Sequence, residues 1–192
     1  MLLDSATDVL PAALKYLGLD PDSKKPEDLA KAADVVKAVR PYVRKFHSSE
    51  YINALAGGNI CLAFGYSGDI FQANNSGYPH LKFVIPKQGA VLWRDNSVIP
   101  LHAENPVDAL EWIDFYYRPE IQALIDDWGN YVSPVPAAKP IVAGQLDDPA
   151  VANSPLVFPT EAELARLSEY PVTETIESHD KWTALFDPII QS

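Results

Sequence analysis

Two pairs of an aromatic ring and a carboxylate are the residues of this chain best suited to binding a charged ligand. Tyr66 precedes Asp69 in the stretch FGYSGDIF, and Trp93 precedes Asp95 in VLWRDNSV. A carboxylate compensates an ammonium group that leaves water, because an unpaired buried charge costs several kcal/mol. An aromatic face adds about 0.5–2 kcal/mol by cation–π attraction and covers a methylene chain. The two pairs therefore favour a site for an organic cation, and a linear diamine or polyamine would need a carboxylate toward each end.

The elements that must position the first pair are a buried strand and the helix that follows it. The apolar run 59–65 predicts a strand, and a helix is expected to begin near Gly68. In an open α/β sheet, ligands bind beyond the carboxyl ends of strands, which is where Tyr66 and Asp69 would lie. The alternative is that Asp69 only caps a helix beginning at Ile70 and that Tyr66 closes the strand end.

The second pair lies in the middle of another predicted strand, over residues 91–100. Side chains two residues apart on a strand point to the same side, so Trp93 and Asp95 are expected to face one space together. Arg94 then points the opposite way, where its simplest role is a surface ion pair. An inward-facing Arg94 would instead favour an anionic ligand.

Strands and helices alternate along the chain, which predicts an α/β fold with a mainly parallel sheet. A further strand is expected at residues 81–86, and the stretch 132–140 is rich in proline. Apolar spacing, caps and prolines predict helices over residues 5–17, 29–39, 49–56, 107–117, 120–128 and 179–190, with a Thr160–Glu163 capping box before another. Four aromatic residues are expected to be packing residues of these helices: Tyr42, Tyr51, Trp112 and Trp128.

The composition excludes several classes of protein. The 192 residues carry 26 acidic and 15 basic side chains, a net charge of −11, which argues against nucleic acid as a partner. No apolar window is long enough to span a membrane, and no signal segment is visible in the chain. The single cysteine, Cys61, excludes an internal disulfide and is expected to be a buried core residue.

No arrangement of residues predicts catalysis. The four histidines are not at a recognised ligand spacing, and there is no nucleophile elbow, P-loop or dinucleotide fingerprint. Asp126-Asp127 and Asp147-Asp148 are expected on a helix surface and in a loop, where charge is solvated. We therefore predict a protein that is not an enzyme and that has no cofactor and no metal site.

Several stretches resemble the periplasmic polyamine-binding proteins of bacterial ABC importers, most closely the putrescine/spermidine receptors. The resemblance is carried by the runs FHSSEYINALAGGNICLAFGYSGDIFQA, FVIPKQGAVLWRDNSVIP and YVSPVPAAK, together with the start LLDSATDVLPAALKYLG. It implies a type II periplasmic-binding-protein fold, in which two α/β lobes joined by crossing strands clamp the ligand. The chain looks like the C-terminal portion of such a receptor, and its start is expected to lie partway through the larger fold.

The resemblance implies a division of the chain between the two lobes. Residues 1–86 would form an α/β segment of the second lobe. Residues 87–130 would supply a crossing strand and helices of the first lobe. Residues 131–192 would return to the second lobe and end in the C-terminal helix.

The resemblance also implies a set of ligand-binding residues. By position, Asp69 matches the family's amine-binding aspartate, and Tyr66 stands where the family has a ring, often tryptophan. Trp93 and Asp95 match an aromatic and an acid on the crossing strand. The remaining matches are Asp8, where putrescine-type members place a glutamate, Tyr131, an aromatic where the chain returns to the second lobe, and Ser48 of the FHSS motif.

The resemblance implies two partners: a polyamine ligand and, in the full-length protein, an ABC permease. It also implies a periplasmic or extracellular location, which a cell-surface lipoprotein would share. An isolated portion is expected to bind weakly and to self-associate through its exposed inter-lobe surface. Two other hypotheses stay open: a receptor for a different small organic ligand, and a non-binding lobe that acts as a folding or assembly module.

Overall fold

The computed structural model describes residues 1–169 and 176–192, which form an α/β chain with a parallel sheet. Its elements fall into two compact units. The first unit comprises residues 1–66, 78–93 and 165–192, and the second comprises residues 67–77 and 94–164. The lobe boundaries expected from the resemblance concern a longer protein and stay a prediction.

The first unit is built on three helices that bury their apolar stripes against one another. These are α1 (Ala6–Tyr16), α2 (Pro26–Val39) and α10 (Ile176–Ile190). Pro26 opens α2 at a position where its missing N–H costs nothing, and Leu29, Ala32, Ala33 and Val36 repeat at helical spacing and are all buried. Trp182 and Phe186 of α10 complete this core. The short helix α3 (Tyr51–Ala56) belongs to the same unit.

The sheet consists of β1 (Ala90–Leu92) and β2 (Leu167–Glu169), which pair in parallel with Ala90 opposite Leu167. The predicted strand 91–100 is therefore correct only at its start. The runs 59–65 and 81–86 form no strand among the described residues. A run of apolar residues becomes a strand only where a neighbour accepts its hydrogen bonds along its length, and this condition cannot be judged from local sequence.

The run 59–65 nevertheless makes parallel-type backbone bonds. The Met1 amino group donates to Leu62 O at 2.9 Å, and Phe64 N donates to Met1 O at 3.0 Å. The next residue, Leu2, forms a parallel bridge with Phe46. Met1 and Leu2 thus join two segments that the sequence places far apart. Cys61, in the run 59–65, is exposed, so the expectation that it is buried was wrong.

The second unit is formed by helices packed around a small apolar core. Its elements are α4 (Ser67–Asn75), α5 (Pro106–Tyr116), α6 (Pro119–Gly129), α7 (Lys139–Gly144), α8 (Pro149–Ala152) and α9 (Glu161–Leu164). The core residues are Ala123, Ala138, Val142, Val151, Ala152 and Val157. The proline-rich stretch supplies a 3₁₀ turn at Pro136–Ala138 and the start of α7, which the sequence analysis missed. The capping box of α9 is confirmed, because Thr160 Oγ1 accepts from Glu163 N and the Glu163 carboxylate accepts from Thr160 N.

Three of the four aromatic residues expected to be packing residues are exposed instead. Tyr51 is buried, whereas Tyr42, Trp112 and Trp128 expose 88%, 57% and 84% of their surface. Helix α5 buries none of its residues, and Trp112 contacts only a neighbouring ring on the same helix, that of Tyr116, among the ring contacts described. Within the described ranges, no helix has the length and apolar character needed to cross a bilayer.

Candidate functional site

Tyr66 is held by its backbone as well as by its ring. Its N–H donates to the hydroxyl of Tyr51 at 3.0 Å, and the Tyr51 side chain is buried. Gly65 makes this contact possible, because a Cβ at that position would lie 2.4 Å from Tyr51 Cε2. Tyr51 and Gly65 therefore position Tyr66, a role that the sequence analysis did not foresee because it placed Tyr51 among the packing residues.

The Tyr66 side chain contacts two other predicted site residues of the first unit. Its hydroxyl donates to Asp8 Oδ2 at 3.5 Å, a long and therefore weak hydrogen bond. Its ring meets that of Trp93 edge to face, with 6.0 Å between centroids and 74° between planes. Trp93 keeps 36% of its surface exposed. We call Asp8, Tyr66 and Trp93 the Asp8 cluster: a carboxylate that contacts Tyr66, and a second ring that contacts the ring of Tyr66.

The electrostatic surroundings of Asp8 make its charge sensitive to a ligand. Burial raises the pKa of Asp8 above its ordinary value, while hydrogen bonds from Ser5 and Tyr66 lower it. Asp8 also lies in the first turn of α1, where the helix dipole favours negative charge. A bound cation would act against burial and in the same direction as the hydrogen bonds and the helix dipole, which favour the ionised carboxylate.

Asp69 and Tyr131 form a second contact, within the second unit. Tyr131 donates its hydroxyl hydrogen to Asp69 Oδ1 at 2.6 Å, which is the length of a charge-assisted bond. Asp69 lies in the first turn of α4, a helix that begins at Ser67, so its carboxylate also benefits from the helix dipole. The bond orients one carboxylate oxygen, and we call these residues the Asp69 pair.

The Asp69 pair depends on the absence of a side chain at Gly68. A Cβ there would lie 2.6 Å from Tyr131 Cε2, so the ring rests directly on the first turn of α4. Neither Gly68 nor this contact was singled out from the sequence. The signal in the sequence was a glycine next to the acid, which is too common to be informative alone.

Gly68→Ala is expected to lower the free energy of unfolding by about 1–3 kcal/mol, because the Tyr131 ring must move off α4. Urea denaturation measures the loss. Gly144→Ala is the matched control, since a Cβ at that helical glycine meets no atom within 4 Å. In a Tyr131→Ala background the same Gly68 substitution should cost little. An equal cost in both backgrounds would contradict the contact.

The other two predicted residues join neither group through a described contact. Ser48 donates to Asp4, so its hydroxyl already has a partner. Asp95 is exposed and follows the end of β1, and it belongs to the second unit whereas Trp93 belongs to the first. The argument that Trp93 and Asp95 point to the same side required a strand that continues through residue 95. The pairing of β1 with β2 ends at Leu92. The roles of Ser48 and Asp95 in binding a ligand stay predictions.

The chemistry available to these groups is recognition of a cation. Ionised carboxylates accept hydrogen bonds, tyrosine hydroxyls orient them, and aromatic faces cover alkyl groups. Within the residues that the structure describes, no cluster of three or more His, Cys, Asp or Glu side chains could hold a metal ion.

Residues 1–160 match the family described as bacterial extracellular solute-binding proteins. The chain is 42% identical, over 174 residues, to the putrescine-binding periplasmic protein of Pseudomonas aeruginosa (strain UCBPP-PA14); the match covers 88% of this chain and 46% of that protein. It is 36% identical to the putrescine-binding periplasmic protein of Escherichia coli (strain K12), with 86% and 45% covered. The chain thus spans about half the length of these relatives.

Solved structures are similar as well. A putative spermidine/putrescine ABC transporter protein from Listeria monocytogenes superposes with a TM-score of 0.83 at 26% identity, over 98% of this chain and 56% of that one. The lipoprotein Tp0655 of Treponema pallidum superposes with a TM-score of 0.77 at 24% identity. The expected periplasmic-binding-protein fold is confirmed by these superpositions.

Proposed function

Because the chain belongs to the family of bacterial extracellular solute-binding proteins, we propose that it is part of the substrate-binding component of a polyamine ABC importer. Its ligand would be a putrescine- or spermidine-like cation. The observation that carries the proposal is that Asp8 and Asp69 each have a tyrosine hydroxyl directed at the carboxylate, and that the ring of Tyr66 beside Asp8 contacts a second ring, that of Trp93. The names of the relatives support the same ligand class.

In this proposal each group has a separate role. Asp69 accepts hydrogen bonds from one ammonium group, with Tyr131 fixing its orientation. Asp8 and Asp95 are further candidate acceptors for ammonium groups, and Ser48 is a candidate hydroxyl ligand. Tyr66 and Trp93 are candidate rings for covering methylene groups, which would gain cation–π attraction and the burial of apolar surface.

The proposed location is the periplasm, and the proposed protein partner is the importer's permease. The location is supported by the relatives named as putrescine-binding periplasmic proteins, and the partner by the ABC transporter in the name of the Listeria structure. Closure over a ligand is the conformational change such proteins use, and it would report occupancy to the permease. Whether this chain is anchored as a lipoprotein is a separate prediction from the resemblance.

Titration calorimetry with putrescine and spermidine tests the proposal, using this chain and a chimaera in which the N-terminal portion of the Pseudomonas relative precedes it. We expect the chimaera to bind both amines and the chain alone to bind more weakly, because the relatives are about twice as long. Butylamine, which has one ammonium group, should bind the chimaera at least roughly 30-fold more weakly than putrescine.

Two results would contradict the proposal. A chimaera that binds no amine, while forming a defined oligomer in light scattering, would favour the assembly module. Tighter binding of succinate than of putrescine would favour an anionic ligand and an inward-facing Arg94.

A further inference from the structure

Two buried side chains near the end of α6 leave one oxygen atom each without a hydrogen-bond donor. Gln122 and Asp126 are one helical turn apart, and each is only 3% exposed. Gln122 Nε2 donates to Asp126 Oδ1 at 2.7 Å. Gln122 Oε1 and Asp126 Oδ2 have no partner among the described residues, although both atoms are buried. A buried acceptor without a donor is costly, so the pair as an amide and a carboxylate is unfavourable.

We infer that Asp126 carries a proton on Oδ2 in the folded protein and donates it to Gln122 Oε1. A carboxylic acid and a primary amide each offer one donor and one acceptor on the same edge. The two groups already share one hydrogen bond, so the unpartnered oxygens are the remaining atoms of the same two groups. One proton satisfies both of them and closes a ring of two hydrogen bonds.

The position of Asp126 in the helix disfavours its ionised form. It lies in the last turn of α6, where the dipole is negative, and Asp127 follows it directly. Burial raises the pKa of Asp126, opposed by the nearby Ser133 hydroxyl and by the hydrogen bond from Gln122; the Ser133 hydroxyl itself donates to Val135 O at 3.2 Å. Burial and the nearby Asp148 also raise the pKa of Asp127.

The charged groups on the elements around α6 have other partners or add negative charge. Arg118 pairs with Asp114 at 3.4 Å, and Lys139 lies over the ring of Phe158. The Asp148 carboxylate caps α8 by accepting from Val151 N at 2.9 Å. The other charged residues on these elements are all acidic: Asp108, Glu111 and Glu120. Arg118 and Lys139 therefore compensate or contact other groups. Of these neighbouring charges none is left to neutralise Asp126, and a proton can do so.

The backbone of Asp126 supports the turn that follows α6. Asn130 adopts a left-handed conformation with φ 59°, and its N–H donates to Asp126 O at 3.0 Å. Its side-chain amide donates to Asp126 O and Asp127 O at 3.2 and 2.8 Å. The next residue is Tyr131 of the Asp69 pair. The sequence analysis expected Asp126 to be solvated; this was wrong, since its side chain is only 3% exposed on a helix that packs against α7 and the turn Pro136–Ala138.

The protonated pair makes stability depend on pH in a defined direction. A carboxyl group whose pKa is raised by folding binds its proton more tightly in the folded state. Its contribution is fully present below the unfolded pKa and is lost as the pH rises through the raised folded pKa. Stability should therefore fall over the range that begins near the ordinary aspartate pKa and ends at the raised value.

Carbon-13 NMR of protein labelled at the aspartate carboxyl carbons tests the inference, with Asp126→Asn used to assign the signal. We expect the Asp126 signal to titrate above the ordinary aspartate range. In thermal unfolding, Asp126→Asn should keep both hydrogen bonds as an amide–amide pair, raise the midpoint at neutral pH by several degrees and flatten its pH dependence.

Two results would overturn the inference: an Asp126 signal that titrates within the ordinary aspartate range, or an Asp126→Asn protein whose midpoint follows the wild-type pH profile. If the variant does not fold, the wild-type signal is assigned through Gln122→Glu and still decides the question. Asp114→Asn is the control for removing one surface charge. No ligand takes part in these measurements, so the inference stands or fails independently of the proposed function.

Discussion

Asp69→Asn is expected to weaken putrescine binding by roughly 100-fold, measured by calorimetry on the chimaera. The substitution keeps the size of the side chain and an acceptor for the Tyr131 hydroxyl. In the wild-type protein that hydroxyl lies 2.6 Å from Asp69 Oδ1. The substitution removes the negative charge that, in our proposal, compensates an ammonium group taken out of water. A buried cation without its counter-ion is strongly unfavourable, so the loss should fall on affinity rather than on stability.

Two variants separate the charge from its surroundings. Asp114→Asn removes an exposed carboxylate of the same unit, one that pairs with Arg118 at 3.4 Å, and should leave affinity unchanged. Tyr131→Phe keeps the Asp69 charge but removes the hydrogen bond that orients it, and about a 10-fold loss is expected. Wild-type affinity in a folded Asp69→Asn protein would show that the amine binds elsewhere.

The helices could be predicted from the sequence because their signals are local. The apolar spacing of α2 and the proline at its start lie within 14 residues. The capping box of α9 is a reciprocal contact between residues three apart. The predictions that failed concern which helical side chains are buried, because distant parts of the chain decide which face of a helix is covered. Trp128 and Asp126 lie two residues apart on α6, yet Trp128 is exposed and Asp126 is buried.

The strands could not be predicted because pairing is not local. Residues 90–92 pair with residues 167–169, and no periodicity in either segment identifies that partner. The run 59–65 has a strand-like composition, but its described parallel bonds run only to Met1. Composition therefore located the apolar segments, and the partners decided which of them became strands.

The candidate site was predicted in part for the same reason. Asp69 and Tyr66 were identified from local aromatic–acid spacing, but their contacts come from Tyr131 and Tyr51, which are distant in sequence. The resemblance supplied Asp8 and Tyr131, and the structure shows each beside another residue of the predicted set. The glycines that admit the two tyrosine rings became visible only from the distances.

The turn that leads into β1 contains Gly89, the glycine at which an added Cβ would come nearest to another atom. Gly89 has φ +89°, and its N–H donates to Pro86 O at 2.8 Å. A Cβ at Gly89 would lie 1.9 Å from the carbonyl oxygen of Arg166. The Arg166 guanidinium reinforces this position by donating to the carbonyl oxygens of Ile85 and Pro86. Gly89 thus allows the segment before β2 to reach β1.

Gly89→Ala is therefore expected to lower the free energy of unfolding by about 3 kcal/mol or more, and the thermal midpoint by roughly 10 °C. Gly18→Ala separates the two causes, because Gly18 has φ +71° in the same unit but a Cβ there meets no atom within 4 Å. It should show only the left-handed backbone penalty of about 1–2 kcal/mol. The excess at Gly89 then measures the displaced contact with Arg166. Equal losses for the two variants would mean that β1 and β2 separate at little cost, and that their pairing contributes little to the first unit.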